Sequence, residues 1–187
     1  MQDTHLGDRR LVDQRMKRAA TAVLERALAQ IDESIEVAAS EAASPAALRA
    51  GPLYDGLAGI TALRLEAAIL SQNSEQAAKL EIEVERLAQA AFRMPDTQFG
   101  FYDGYLGIAY VLSRYASTWK SEKHIEVVHR LIARAERIAE TTNNWDIIGG
   151  AAGAILALLA GTQMLPSDQA VQAAERFGAT LLRCART

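Results

Sequence analysis

One phrase is written three times in this chain: Tyr54-Asp-Gly-Leu-Ala-Gly-Ile60, Tyr102-Asp-Gly-Tyr-Leu-Gly-Ile108 and Trp145-Asp-Ile-Ile-Gly-Gly-Ala-Ala-Gly-Ala154. Aligned on their Gly-x-x-Gly cores, Gly56, Gly104 and Gly150 fall 48 and 46 residues apart, which is room for two helices and their connections. A unit of that length buries its apolar face only by stacking on the next unit. The chain is therefore expected to be an array of helical hairpins.

Half of the 187 residues are hydrophobic but only 6% are aromatic, so the apolar content is mostly Ala, Leu, Ile and Val, as closely packed helices require. The length suffices for one sizeable core. A net charge of −3, with no Lys/Arg cluster interleaved with aromatics, argues against a nucleic-acid partner. No run of 18 apolar residues is present, and the opening ten residues lack an apolar stretch behind a basic start. No membrane span or signal peptide is therefore read, and a cytoplasmic location is expected. A single cysteine, Cys184, excludes an intrachain disulfide and is too little for a thiolate metal cage; it reads as an incidental thiol.

From about Asp8 to Ala39, apolar residues recur at helical spacing (Leu11, Val12, Met16, Val23, Leu24, Leu28, Ile31, Ile35), predicting one long amphipathic helix. Breaks at Ser44-Pro45 and Gly51-Pro52 close a first segment, residues 1–50. Residues 51–187 then read as three hairpins. Helices that are apolar nearly all round are predicted near Gly56–Leu70, Gly104–Tyr115 and Gly150–Leu159. Two-faced helices are predicted near Ser74–Phe92, Glu122–Thr141 and Ser167–Arg183. A helix apolar on every side must be enclosed by protein and a two-faced helix must border water. The fold class is thus all-α, a partial α/α toroid with inner and outer helices. Ser74 and Ser167 suit the N-caps of outer helices, and Asp55 and Asp103 those of inner ones. The glycines are expected to supply φ > 0 on the entering turn and a flat strip for the neighbouring inner helix.

The three glycine-led phrases, above all Trp145-Asp-Ile-Ile-Gly-Gly-Ala-Ala-Gly-Ala-Ile-Leu-Ala-Leu-Leu159, resemble the repeats of lanthionine synthetase C-like proteins, closest to the cyclase domain of bifunctional class II lanthipeptide synthetases. The resemblance runs from about Gly51 to the C-terminus and covers the family's N-terminal half. It implies a toroid with zinc at the mouth of its cavity, where a Cys thiol of a precursor peptide adds to a dehydrated Ser or Thr and closes a thioether ring. Zinc would hold the thiol as thiolate, and an acid or base would serve the enolate left by the addition.

The chain departs from that pattern in its metal ligands. The family's Cys and Cys-His ligands lie in later repeats; here Cys184 is not followed by His. His124 and His129, five apart, stand about 140° around a helix and cannot act as an i, i+4 pair. Both read as solvated residues of an outer helix and His5 as part of the terminus, so no metal site is assigned and zinc is expected only in a complete family domain. Asp146 matches the acidic residue that opens the family's third glycine motif, which implies a part in cyclase chemistry; turn capping is the plain alternative. Tyr54, Tyr102 and Trp145 are expected at the same rim as packing residues.

Two functions follow. One is part of a lanthipeptide cyclase, inactive alone for want of zinc ligands, whose partners are a precursor peptide and either the missing repeats or a second copy at an open apolar edge. The other is a degenerate helical-repeat module for peptide binding or assembly. A carbohydrate or isoprenoid enzyme of the α/α-toroid type would need clustered carboxylates or an Asp-rich motif, and neither is present.

Overall fold

A computed structural model describes residues 4–41, 51–71 and 74–185; for 4–12, 31–32, 34–41 and 74–77 it gives the backbone alone. The break at Ser44-Pro45, the stripe members Leu11, Val12, Ile31 and Ile35, the Ser74 side chain and His5 lie outside the described residues or side chains. Among the described residues the chain is all-helical, with seven helices and no strand.

The order is α1 (Thr4–Glu41), α2 (Leu57–Ser71), α3 (Ser74–Arg93), α4 (Tyr105–Trp119), α5 (Glu122–Ile138), α6 (Ala151–Thr162) and α7 (Asp168–Cys184). Helices α2, α4 and α6 are the apolar members; α3, α5 and α7 each carry one apolar face. Each apolar helix packs on the amphipathic helix that follows it. Along the array α2 meets α4 and α4 meets α6, while α3 meets α5 and α5 meets α7. Two layers result, with α1 laid against α2.

The core fills the space between the layers. Leu65, Val84, Leu87, Ile108, Leu112, Leu131 and Phe177 are buried within it, and Phe99 stacks on Phe177 with centroids 5.4 Å apart. At about 25 cal/mol per Å² of apolar surface withdrawn from water, this burial dominates the folding free energy.

Helix α4 runs four residues beyond the sequence expectation. The hydroxyls that would end it are absorbed instead: Ser113 Oγ donates to the Ala109 carbonyl and Thr118 Oγ1 to the Arg114 carbonyl, each at 2.8 Å. Tyr115 also packs on Trp119 at 4.9 Å. Lys120, in the left-handed region at φ 55°, ends the helix. Ser167 caps α7 as expected, its Oγ accepting from the Ala170 N–H at 3.2 Å.

Neighbouring repeats are tied in one direction. Cations of a later repeat reach back to acceptors of the earlier one: Arg114 to Glu66, Lys123 to Glu85, Arg134 to Asp96, Arg176 to Glu136 and Glu140. Arg134 is the most embedded of them. Its guanidinium also donates to the carbonyls of Ala91 and Met94 and lies 4.4 Å from the Tyr105 ring centroid.

Candidate functional site

The three glycine-bearing turns stack at one end of the apolar helices. The Tyr54 N–H donates to the Tyr102 carbonyl at 2.9 Å, and the Tyr102 N–H to the Ile148 carbonyl at 3.0 Å. This ladder fixes the structural register as Tyr54, Tyr102, Ile148. Asp55 and Asp103 therefore correspond to Gly149, and Asp146 is an addition of the third turn.

Glycine is required here by close approach. A Cβ on Gly59, Gly107 or Gly153 would stand 2.3, 1.9 or 2.2 Å from the carbonyl oxygen of Leu53, Phe101 or Ile147, the residue six positions earlier in each turn. The turn thus folds down onto the first turn of its own helix. Two expectations are corrected. No described glycine has positive φ, and Gly104 and Gly150 are extended at φ −128° and −110°. The neighbouring repeat comes second: Leu53 Cβ would be 3.2 Å from a Cβ on Gly107.

The aspartates do not cap the helices. Helices α2 and α4 start at Leu57 and Tyr105, so Asp55 and Asp103 stand one residue ahead of the cap position, and Gly104 caps α4 with no side-chain bond. Asp103 reaches instead toward the third turn, its carboxylate lying where a side chain on Gly149 would be. Partial burial raises its pKa, and the charges of Asp146 and Asp55 raise it further. The three acids therefore share one rim.

Asp146 folds its own turn. Its Oδ1 accepts from the N–H of Ile148 at 2.6 Å and of Gly149 at 2.8 Å, and its own N–H points to Asn144 Oδ1 at 3.4 Å. The Ile148 N–H, which by register would continue the ladder, is thus taken up by Asp146. Tyr54 is 81% exposed, against the expectation that it packs, whereas Tyr102 and Trp145 are half-buried.

The histidines separate. His129 is exposed on α5 as expected, but His124 is buried, with Nδ1 2.7 Å from Ser121 Oγ and its ring edge-on to Tyr115 at 5.1 Å. Its Nε2 finds no hydrogen-bond partner and lies 3.8 Å from Glu85 Oε2. Burial lowers its pKa. This corrects its placement as a solvated residue; the cause is the i, i+4 placement of His124 and the buried Val128 on one helix face. Cys184 closes α7, at the far end of the amphipathic layer. Among the described residues no three His, Cys, Asp or Glu side chains are arranged to hold a metal ion. The donors of the described residues do not fit the zinc that the resemblance implies.

The family model for lanthionine synthetase C-like proteins matches residues 50–185, most of the chain and all three glycine turns. The chain belongs to the lanthionine synthetase C-like family. No curated protein matches the sequence. The span matched to the lanthionine synthetase C-like family begins beside the first glycine turn and leaves α1 outside it. Among the described residues no helix is long and apolar enough to cross a membrane.

Proposed function

We propose that this chain is the part of a lanthipeptide cyclase domain that presents the substrate rim, and that its macromolecular substrate is a precursor peptide carrying Cys and dehydrated Ser or Thr. In the reaction, a peptide thiolate forms a C–S bond to the β-carbon of the dehydro residue. The C=C π pair moves onto the α-carbon as an enolate, and a proton must reach that carbon. Asp146 is the group of this chain assigned to that rim chemistry. Its Oδ1 is committed to two backbone N–H groups, so it would act through Oδ2, moving a proton or orienting a partner side chain.

The observation that carries the reading is the ladder from Tyr54 through Tyr102 to Ile148, which brings three family turns and Asp146 to one rim. The chain by itself is assigned substrate binding without turnover, because among the described residues no donors assemble a thiolate-activating metal set. A fluorescently labelled dehydrated Cys-containing peptide should bind, by anisotropy, more tightly than a scrambled control. Mass spectrometry after thiol alkylation should show its cysteines still reactive. Absence of selective binding refutes the substrate assignment, and ring closure by the monomeric chain refutes the assignment of inactivity.

A second reading, a non-catalytic peptide-binding or assembly module, is favoured by the use of Asp146 as a turn cap. It is separated from the first by Asp146→Asn in a complete cyclase assembled with this chain: the first reading requires loss of ring closure with binding retained, the second leaves ring closure unchanged.

A further inference from the structure

One buried titratable side chain takes no part in the rim. His124 is the third residue of α5, close after the turn that joins α4 to α5, at the end of α4 away from the glycine turns. Its side chain is 4% exposed, and its Nε2 is sealed from water with no hydrogen-bond partner. A carboxylate oxygen of the preceding repeat, Glu85 Oε2 on α3, lies 3.8 Å from that nitrogen. The same oxygen already accepts from Lys123 Nζ at 2.5 Å. Two consecutive residues of α5, one dry and one exposed, are thus aimed at a single oxygen. The titratable groups that face His124 are Glu85 and Glu81 of α3, Lys123 of its own helix and Tyr115 of α4, whose ring meets the imidazole edge-on at 5.1 Å.

Electrostatics places the protons. A bare Nε2 lone pair would repel the Glu85 carboxylate and an Nε2–H is attracted to it, so the neutral ring carries its proton on Nε2. Nδ1 then accepts from the Ser121 hydroxyl, 2.7 Å away. Ser121 is the N-cap residue of α5 but makes no side-chain cap bond, because its hydroxyl serves the ring instead. A second proton, added at Nδ1, turns that hydroxyl into an acceptor and sets a buried cation in the first turn of α5, where the helix dipole opposes positive charge. A cation shut away from water requires an anion in contact. Glu85 is the carboxylate within reach, and its hydrogen bond from Lys123 holds its carboxyl below the ordinary range, so it stays ionised while the imidazole titrates. Lys123 is 67% exposed and Glu85 37%, so the ammonium loses little when it is released to water.

We propose that His124, Lys123 and Glu85 form a proton-operated exchange between the first two repeats. With the imidazole neutral, Lys123 holds Glu85 at the surface. With the imidazole charged, Glu85 turns inward to accept from His124 Nε2–H and Lys123 is released to solvent. One proton is taken from solvent at Nδ1, and no bond between heavy atoms forms or breaks. The joint between α3 and α5 keeps a cation–carboxylate tie on both sides of the transition. The exchange is independent of the cyclase reading.

NMR titration of the imidazole nitrogens in wild type, Glu85→Gln, Lys123→Ala and the double variant tests it. The neutral ring of the wild type should be the Nε2–H tautomer. Glu85→Gln should lower the His124 pKa by at least about one pH unit. Lys123→Ala should raise it, since the competing cation is gone, and this rise should shrink to less than about half in the Glu85→Gln background. An equal rise in both backgrounds overturns the proposal, because repulsion by Lys123 without competition for Glu85 gives that result. A neutral ring protonated on Nδ1, or a His124 pKa indifferent to Glu85→Gln, also overturns it. Lys123→Ala removes an exposed side chain and keeps the fold, so a His124 pKa that it leaves unmoved overturns the exchange by itself.

Discussion

The carboxylate of Asp103 occupies the space beside Gly149 that a side chain there would fill: a Cβ on Gly149 would stand 2.6 Å from Oδ2 and 2.8 Å from Oδ1. Gly149 holds the register of Asp103 itself, so the third turn gives up its own acid to seat that of the second. Gly149→Ala should push the carboxylate out toward water and bring its pKa back toward the ordinary range. Carboxyl carbon NMR titration of Asp103 in wild type and variant checks this.

The same raised pKa fixes the sign of a pH effect. The folded chain holds the Asp103 proton more tightly than the unfolded chain, so this group's contribution is fully present below the unfolded value near 4 and is lost as pH rises through the folded value. Ionised Asp103 therefore opposes folding at neutral pH. Asp103→Asn should raise Tm at pH 7, with the gain shrinking below about pH 4. Thermal melts at both pH values test it.

His124 carries the opposite dependence. Burial lowers its pKa against the raising pull of Glu85 and Glu81, with Lys123 adding to the depression; Tyr115 and Ser121 complete its surroundings. A depressed histidine contributes stability above its unfolded value near 6.5, and this is lost as pH falls toward the folded value. Urea midpoints should drop between about pH 7 and pH 5, and His124→Gln should flatten that part of the profile.

Glycines of one sequence type should respond with opposite signs. Gly107→Ala drives a methyl into the Phe101 carbonyl, a backbone atom that cannot rotate away, and should cost on the order of 3 kcal/mol. Gly178→Ala meets nothing within 4 Å and should stabilise the chain by about 1 kcal/mol through helix propensity. Urea unfolding at low protein concentration measures both.

Arg134 should not be replaceable by lysine. Its planar guanidinium serves two carbonyls, Asp96 and the face of Tyr105 at once, and an ammonium cannot hold that geometry. Arg134→Lys should cost about 2 kcal/mol. The more exposed Glu66→Gln, which breaks the pair to Arg114, should cost at most about 1 kcal/mol. Chemical denaturation of the two variants compares them.

The all-helical class, the alternation of apolar and two-faced helices and the pairing of each helix with its successor were legible in the sequence, because they follow from periodicity and from a phrase repeated at 48 and 46 residues. The Ser167 cap was legible for the same reason: it depends on neighbours three residues away. What glycine does in each turn, where Asp103 points and why His124 is dry depend on atoms brought together from positions between 6 and 54 residues apart. Counted from the glycines, Asp146 already stands four residues ahead of Gly150 whereas Asp55 and Asp103 stand one ahead of Gly56 and Gly104; the backbone ladder adds that those two pair with Gly149 and that Asp146 closes the turn at Ile148. Local propensity and apolar spacing are written residue by residue, so the sequence alone set the elements and their order. The rim exists only where separate turns meet, and only their packing in three dimensions decided it.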